Sequence, residues 1–369
     1  MSEIKNETAQ TQMNFSLIDP DLTIEVPIWT EGSQSNENSY VTWGTNNKFP
    51  NELAEIAQAS STLSSVINGT IATIIGEGYA PTPELEQKLT TTGYFNDKQE
   101  LLDDLIEPLI RDYMLFGCFS IQVIYNKLHQ VSGIYHLPME YVRSNEHNSK
   151  FFYSKKFSKY SGKMLVYNKF DRAKAIENGE YTQVFFYKNS GSKSVYGITP
   201  QSGCLEDVVS ESIASKYIRK TLQSGLSARY IINIPSSANM PDAQKKKIEK
   251  GIREKFCGVN NSGNFMIYYN TTTDQLDVHK IDKDDSDEVF NSIRKAAKEN
   301  IFICNHCVPT LFGDPSATTG FSEQEYAEAL KLFRKMVINP TLTKINNALC
   351  KIYDVKQAIT LKNNNEVNE

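Results

Sequence analysis

At 369 residues, with 40% hydrophobic and 22% charged side chains, the chain is longer than one hydrophobic core usually fills, and its composition excludes collagen-like, mucin-like and wholly disordered classes. The net charge of -5 and sequence pI near 5.7 weigh against a protein that clamps nucleic acid over a broad basic surface, yet leave room for a passage through which DNA slides. Six cysteines, Cys118, Cys204, Cys257, Cys304, Cys307 and Cys350, have no disulfide-framework spacing and read as reduced thiols in a cytosolic setting.

The amino terminus, MSEIKNETAQ, lacks the basic and apolar regions of a signal peptide, so secretion is not expected. Residues 1–45 are rich in Asn, Ser, Gln, Thr and Glu and read as a flexible arm, with apolar islands at Leu22 to Trp29 and Tyr40 to Trp43 as docking points on a neighbour. Helical pattern follows Pro50 and runs to Ile75, where Gly76 and Gly78 stop it. Its apolar run from Leu63 is interrupted by polar residues and is far shorter than a membrane span requires. A second helix is expected over Lys98 to Phe116, closed by Gly117, with Leu101, Leu102, Leu105, Ile106, Leu109, Ile110, Tyr113 and Met114 on its apolar face.

The period then falls to two. Cys118 to Tyr125, Gly133 to Leu137, Phe151 to Tyr153, Met164 to Tyr167 and Thr182 to Tyr187 read as a small antiparallel β region. After Gly197 and Pro200, a rod is expected over Leu205 to Leu222, striped by Leu205, Val208, Val209, Ile213, Tyr217, Ile218 and Leu222. Strands at Arg229 to Ile234 and Asn264 to Tyr269 flank a helix from Pro241 to Phe256. A second rod spans Asp284 to Phe302, with Val289, Ile293, Ala296, Ala297 and Ile301 on one face. The last helix opens on the capping box Ser322 to Glu325, and Pro340 should kink or break it near Asn339. Past Tyr353 a polar tail is expected.

Two rods bracketing a compact module describe a stalk with a knob, a shape natural for one subunit of a ring with a central channel. A stripe on each rod finds cover against a copy in the next subunit, in a head-to-tail contact closed by rotation.

Recognisable catalytic motifs are missing: there is no GxxxxGK[ST], GxSxG or HExxH, and the five histidines are dispersed. Cys304-Asn305-His306-Cys307 offers two thiolates and an imidazole to zinc, but a structural site normally takes four ligands, and no second CxxC or His pair is present. An enzyme is not expected and no cofactor is implied.

Taken in order, the segments resemble the tailed-phage portal protein family from about Tyr40 to Ile352. Asp112 to Phe119 resembles a helix-to-strand junction, and Tyr196-Gly197-Ile198-Thr199-Pro200 the motif before the first stem helix. Val308-Pro309-Thr310-Leu311-Phe312-Gly313, a loop of small residues and Ser322-Glu323-Gln324-Glu325-Tyr326 resemble the passage from tunnel loop to long wing helix.

The resemblance implies an α+β portal fold: arm 1–45, α/β wing 46–200, stem helix 201–225, small α/β clip 226–283, second stem helix 284–303, tunnel-loop region 304–320, long wing helix 321–352 and tail 353–369, with the crown minimal or absent. It implies a dodecameric homo-oligomeric ring at one capsid vertex of a virion, assembled in the host cytoplasm. The ring would pass double-stranded DNA without reading sequence, with the terminase large subunit, a head-tail adaptor and the major capsid protein as partners and no membrane involved.

The implied site residues follow from that layout. Arg294, Lys295 and Lys298 would face the channel from the second stem helix, although acids at a helix start with bases further along also simply complement the helix dipole. Asp314, Ser316, Ala317, Thr318, Thr319 and Gly320 would form the tunnel loop, unless it is merely a connection. Lys245, Lys246, Lys247, Lys250 and Arg253 would dock the motor from the clip helix, or be only its solvated face. Two other readings stay open: a virion adaptor, and a zinc-dependent enzyme at Cys304, His306 and Cys307.

Overall fold

The computed structural model describes residues 25–32, 39–89, 93–157, 164–189, 194–223, 229–234, 241, 243–248, 250, 257–258, 261–262, 265–269, 277–281, 286–312 and 323–361. It divides into two compact units. One holds Ile213–Glu288, and the other Val26–Ser212 with Val289–Glu369.

The larger unit begins with α1 (Phe49–Ala59) and α2 (Ser61–Gly76). The sequence reads as a single helical region here. Ser60 divides it by taking an extended conformation and accepting the Leu63 N–H on its hydroxyl at 3.1 Å, which satisfies one orphan donor of α2. Strand β1 (Tyr79–Pro81) and the single turn α3 (Pro83–Glu86) lead to α4 (Leu102–Phe116). That helix starts later than expected because Leu101 is its cap rather than a member of its apolar face. Leu101 donates its N–H to Asp104 at 3.0 Å and leaves its side chain 52% exposed.

A six-stranded sheet follows, built from β2 (Cys118–Tyr125), β3 (Val131–Leu137), β4 (Val142–Ser144), β5 (Lys150–Tyr153), β6 (Leu165–Lys169) and β7 (Thr182–Lys188), with α5 (Arg172–Asn178) between the last two. The order is β3-β2-β7-β6-β5-β4. The expected antiparallel region is corrected at one seam: β6 and β7 run parallel, pairing Asn168 with Gln183 and Lys169 with Val184. Parallel neighbours need a crossover, and α5 supplies it. Buried Gln183 fixes where that crossover begins, accepting the Asp171 N–H at 2.9 Å, while the Asp171 side chain caps Lys174 N–H at 3.2 Å.

The island Tyr40 to Trp43, expected to dock on a neighbour, is instead spent within the chain. Trp43 is fully buried and stacks on Tyr196 with ring centroids 4.3 Å apart and planes 2° from parallel. Arg143, also fully buried, lies over the Phe157 and Trp43 rings and donates to Asn47 Oδ1 at 2.6 Å and to the Asn47 and Val142 carbonyls at 2.8 Å. Burial among acceptors that carry no formal charge lowers its pKa to about 10.

Helix α6 (Leu205–Gln223) runs from the larger unit into the smaller. There β8 (Arg229–Ile234), a helical segment α7 (243–248, with 250 also helical), a two-residue β9–β10 pair (Cys257–Gly258 and Asn261–Ser262), β11 (Phe265–Tyr269) and β12 (Asp277–Ile281) make up the module. Its three-stranded sheet has the order β11-β8-β12, with β11 parallel to β8 and β12 antiparallel to it. The parallel pair follows from the helical crossover, whereas β12 has no counterpart in the sequence reading.

Helix α8 (Ser286–Cys304) returns to the larger unit, followed by α9 (Glu323–Phe333), a π-helical turn (Arg334–Ile338), α10 (Asn339–Tyr353) and β13 (Ile359–Leu361). Of the kink or break expected from Pro340 near Asn339, the outcome is an interruption without a break: a π turn replaces the α-helix up to Ile338, and α10 starts at Asn339. The wider π turn ahead of it keeps helical backbone through Ile338 and Asn339, with the Asn339 N–H reaching back to the Arg334 carbonyl. The supposed polar tail is corrected over its first part: β13 pairs antiparallel with β1, aligning Tyr79 with Leu361 and Pro81 with Ile359. No helix among the described residues is long and apolar enough to cross a membrane.

Candidate functional site

The two motifs singled out in the sequence, Asp112 to Phe119 and Tyr196 to Pro200, are one structural unit. Gly117 ends α4 in the left-handed region at φ 67°, and a side chain there would meet the Ile198 carbonyl oxygen at 2.1 Å. Gly197 faces it, and a Cβ on that residue would lie 2.7 Å from the backbone of Phe116 and Gly117. Both positions are therefore glycine for reasons of space, with a second, conformational reason at Gly117. Asn189 secures the approach, exchanging hydrogen bonds with the Ile198 backbone at 2.7 and 3.0 Å. Thr199 Oγ1 donates to the Leu115 carbonyl at 2.5 Å and caps the following turn.

This junction sets the root of α6 against the end of α8. Buried Gln201 donates to the Met114 carbonyl at 3.1 Å and to Asn305 Oδ1 at 2.8 Å, and Asn305 donates back at 3.1 Å. One helical turn into α6, Asp207 accepts from Asn300 of α8 at 3.0 Å. Glu211, 2% exposed, turns instead toward α2 and bonds Ser60, Ser61 and Thr62. Gln201, Asn305 and Glu211 escaped the sequence reading because an isolated polar residue in an amphipathic pattern carries no sign of its distant partner.

The expected tunnel-loop residues Asp314, Ser316, Ala317, Thr318, Thr319 and Gly320 lie outside the described residues, as does Ser322. Their near flank is anchored. Pro309–Phe312 forms a 3-10 turn, and the Phe312 ring sits 6.0 Å from that of Phe302 and 5.5 Å, edge-on, from that of Phe333. Gly69 of α2 makes room for it, since a Cβ there would stand 2.7 Å from the ring.

Arg294 and Lys295 are exposed on α8, and Lys298 is half-buried on the same helix. Lys246, Lys247 and Lys250 are exposed and Lys245 half-buried in the separate module, while Arg253 lies outside the described residues. The two basic sets belong to different units. Of the expected apolar face of α8, Ala297 and Ile301 are buried, but Ala296 and Ile293 are exposed, the latter at 40%.

The zinc reading is corrected. Cys304, His306 and Cys307 do not converge, and among the described residues no three His, Cys, Asp or Glu side chains form a metal-binding group. The turn that ends α8 separates them: the Cys307 N–H bonds the Phe302 carbonyl at 2.9 Å and carries the Cys307 thiol inward, while His306 is exposed with φ 54°. Burial raises the Cys307 pKa to about 12.

The architecture has relatives. It is similar to the neck of an empty gene transfer agent (GTA) particle computed with C6 symmetry, at a TM-score of 0.58 and 14% identity over 92% of this chain and 87% of that one. It is also similar to the neck of a native GTA particle computed with C12 symmetry, at 0.56 and 14% over 85% and 84%. An HK97 family phage portal protein from Corynebacterium diphtheriae gives 0.53 and 11% over 84% and 94%. These identities establish likeness of fold. A sequence search of curated proteins gives no match. The model of the phage portal protein family matches residues 98–365, which take in the α4–β2 junction, the α6 and α8 roots and both basic sets. On that match, and in the fold it accompanies, the chain belongs to the phage portal protein family.

Proposed function

We propose that the chain is one subunit of a dodecameric ring at a unique vertex of a virion capsid, assembled in the host cytoplasm, through which double-stranded DNA is packaged and later leaves. In this reading α6 and α8 are the stem, the module between them is the clip, α9 to α10 is the long wing helix, and residues 304–320 carry the tunnel loop. The role is that of a conduit and docking platform rather than an enzyme, so the energy of packaging comes from the terminase motor.

The observation that carries the reading is the wet stretch of α8. Residues 291–296 are all exposed in the single chain, Ile293 among them. A helix solvated on every face for more than a turn lacks the one-sided burial that usually stabilises it. Adjacent copies in a closed ring would supply that cover, and the exposed Leu332 and Met336, one turn apart around the start of the π turn, are suited to the same use. Facing the lumen, Arg294, Lys295 and Lys298 among acidic neighbours would hold a polyanion near the wall without reading its sequence. Lys245, Lys246, Lys247, Lys250 and Arg253 would meet the terminase large subunit and later the head-tail adaptor, while the wing would meet the major capsid protein.

Electron microscopy of the purified full-length protein tests the assembly directly. Rings with a central channel wide enough for a duplex, about 20 Å, are expected. A protein that remains monomeric at high concentration would overturn the proposal.

A further inference from the structure

The roots of α6 and α8 hold a second pair of facing groups beside the Gln201–Asn305 clamp. Cys204 lies directly before α6, and Cys304 is the last residue of α8. Both sulfurs border the same short turn, Pro200–Gly203. Cys204 Sγ is 3.4 Å from Gln201 Oε1, and Cys304 Sγ is 3.6 Å from the Pro200 carbonyl oxygen. Gly203 puts no side chain beside them: a Cβ there would stand 3.6 Å from Cys304 Sγ. Cys204 Sγ also lies 3.6 Å from the Gln201 carbonyl oxygen.

The two thiols differ in the way that a nucleophile and its resolving partner should. Cys204 is 1% exposed, while Cys304 is partly open to solvent. The Cys204 thiol beside it holds the Cys304 thiol below its usual range, while Cys304 together with burial pushes that of Cys204 up. Cys304 is therefore the readier of the two to ionise, and it is the one open to solvent.

We propose that Cys204 and Cys304 are a thiol–disulfide switch joining the roots of α6 and α8, open in a reducing compartment and closed to an intrachain disulfide by small-molecule disulfides. The Cys304 thiolate attacks one sulfur of the small disulfide, forming a mixed disulfide and releasing one thiolate. Cys204 then loses its proton to solvent and attacks Cys304 Sγ, forming the Cys204–Cys304 bond and expelling the second thiolate. The protein gives up two electrons and two protons, and the small disulfide becomes two thiols. A virion assembled inside a cell and released to an oxidising medium passes from one condition to the other. The switch itself requires no ring, so its test stands apart from that of the assembly.

The full-length protein, reduced and desalted, is incubated with oxidised glutathione at pH 7.5, quenched by alkylation, digested and analysed by mass spectrometry. The expected result is a Cys204–Cys304 linked peptide, a loss of two free thiols, no retained glutathione, and full reversal by dithiothreitol. In Cys204→Ala the reaction should stop at glutathione on Cys304, and in Cys304→Ala Cys204 should stay reduced. Glutathione retained on Cys304 of the unaltered chain, a Cys304–Cys307 link, or no modification would each overturn the proposal.

Discussion

Glu211 caps a helix to which it does not belong: both of its carboxylate oxygens lie 3.3 Å from the Thr62 N–H in the first turn of α2, and one accepts the Thr62 hydroxyl at 2.7 Å. With Ser60 and Ser61 bonding the same group, a single buried side chain gathers the Thr62 N–H and three hydroxyls and joins the first turn of α2 to α6. Negative charge is also favoured at a helix N-terminus. Glu211→Ala removes the acceptor and leaves buried donors stranded, an expected loss of about 3 kcal/mol or more. Glu211→Gln keeps the shape and costs about half as much. Urea unfolding of the two variants checks both the size and the order.

The contact between Gly117 and Gly197 should tolerate no side chain on either residue. Gly117→Ala faces a left-handed penalty of about 1–2 kcal/mol together with the collision with the Ile198 carbonyl, so a total above roughly 3 kcal/mol is expected. Gly197→Ala meets only the collision and should cost less. Because both changes open the same seam, their effects should fall short of adding, and a double-mutant cycle on thermal unfolding reads the coupling.

Gly69→Ala sets two effects against each other. Alanine in a helix interior gains about 0.8–1.0 kcal/mol over glycine, whereas overpacking against the Phe312 ring costs about 1–3 kcal/mol. The clash should win, giving a net loss. Adding Phe312→Leu removes the ring edge that is struck, so the pair should be more stable than Phe312→Leu alone by up to the propensity gain. Denaturation midpoints of the three variants decide this.

Cys307 predicts an alkaline weakness. Its thiol stays neutral when folded up to about 12, against an ordinary value of 9.0. Between those limits the unfolded chain releases a proton that the folded chain keeps, so stability is full below pH 9 and falls as pH rises toward 12, by about 1.4 kcal/mol per pH unit from this group. In the presence of reductant, Cys307→Ala should flatten that part of the stability profile by this slope, whatever the variant costs at pH 7.

Lys295→Glu with Lys298→Glu should leave ring formation intact and reduce DNA packaging or retention, measured as filled heads. Reversing Lys245, Lys246 and Lys247 should instead weaken motor binding by tenfold or more and become less telling as salt is raised, because exposed charges are screened. Packaging unchanged in the first case, or binding unchanged in the second, would detach these residues from the roles proposed for them.

What the sequence disclosed follows the range of the forces involved. Helices α6 and α8 and the stop at Gly117 were legible because periodicity and capping are local, written within a few residues of where they act. Strands β4 and β13 are three residues each, too short to establish a period, and exist through partners far along the chain. Helix α5 and the parallel seam beside it depend on Gln183 reaching back to Asp171. Trp43 looked like a sticky residue on an arm because nothing near it in sequence announces the Tyr196 ring on which it lies. The site was legible as motifs but not as contacts: Gly117 and Gly197 stood out separately, whereas Gln201 and Asn305 did not stand out at all.

The pairing of β1 with β13 also bears on the order in which the chain can mature on the ribosome. Beside that pair, Thr82 bonds the Gln357 carbonyl at 2.6 Å across 275 residues of sequence. At a synthesis rate of roughly 5–20 residues per second, the earlier strand waits roughly 15–55 s for its partner. Through that interval α6 and α8 can emerge and meet while one border of the larger unit is still open. Completion of the larger unit would then be timed by the emergence of Ile359–Leu361, and a nascent chain stalled before Ile359 should remain vulnerable to protease near Tyr79.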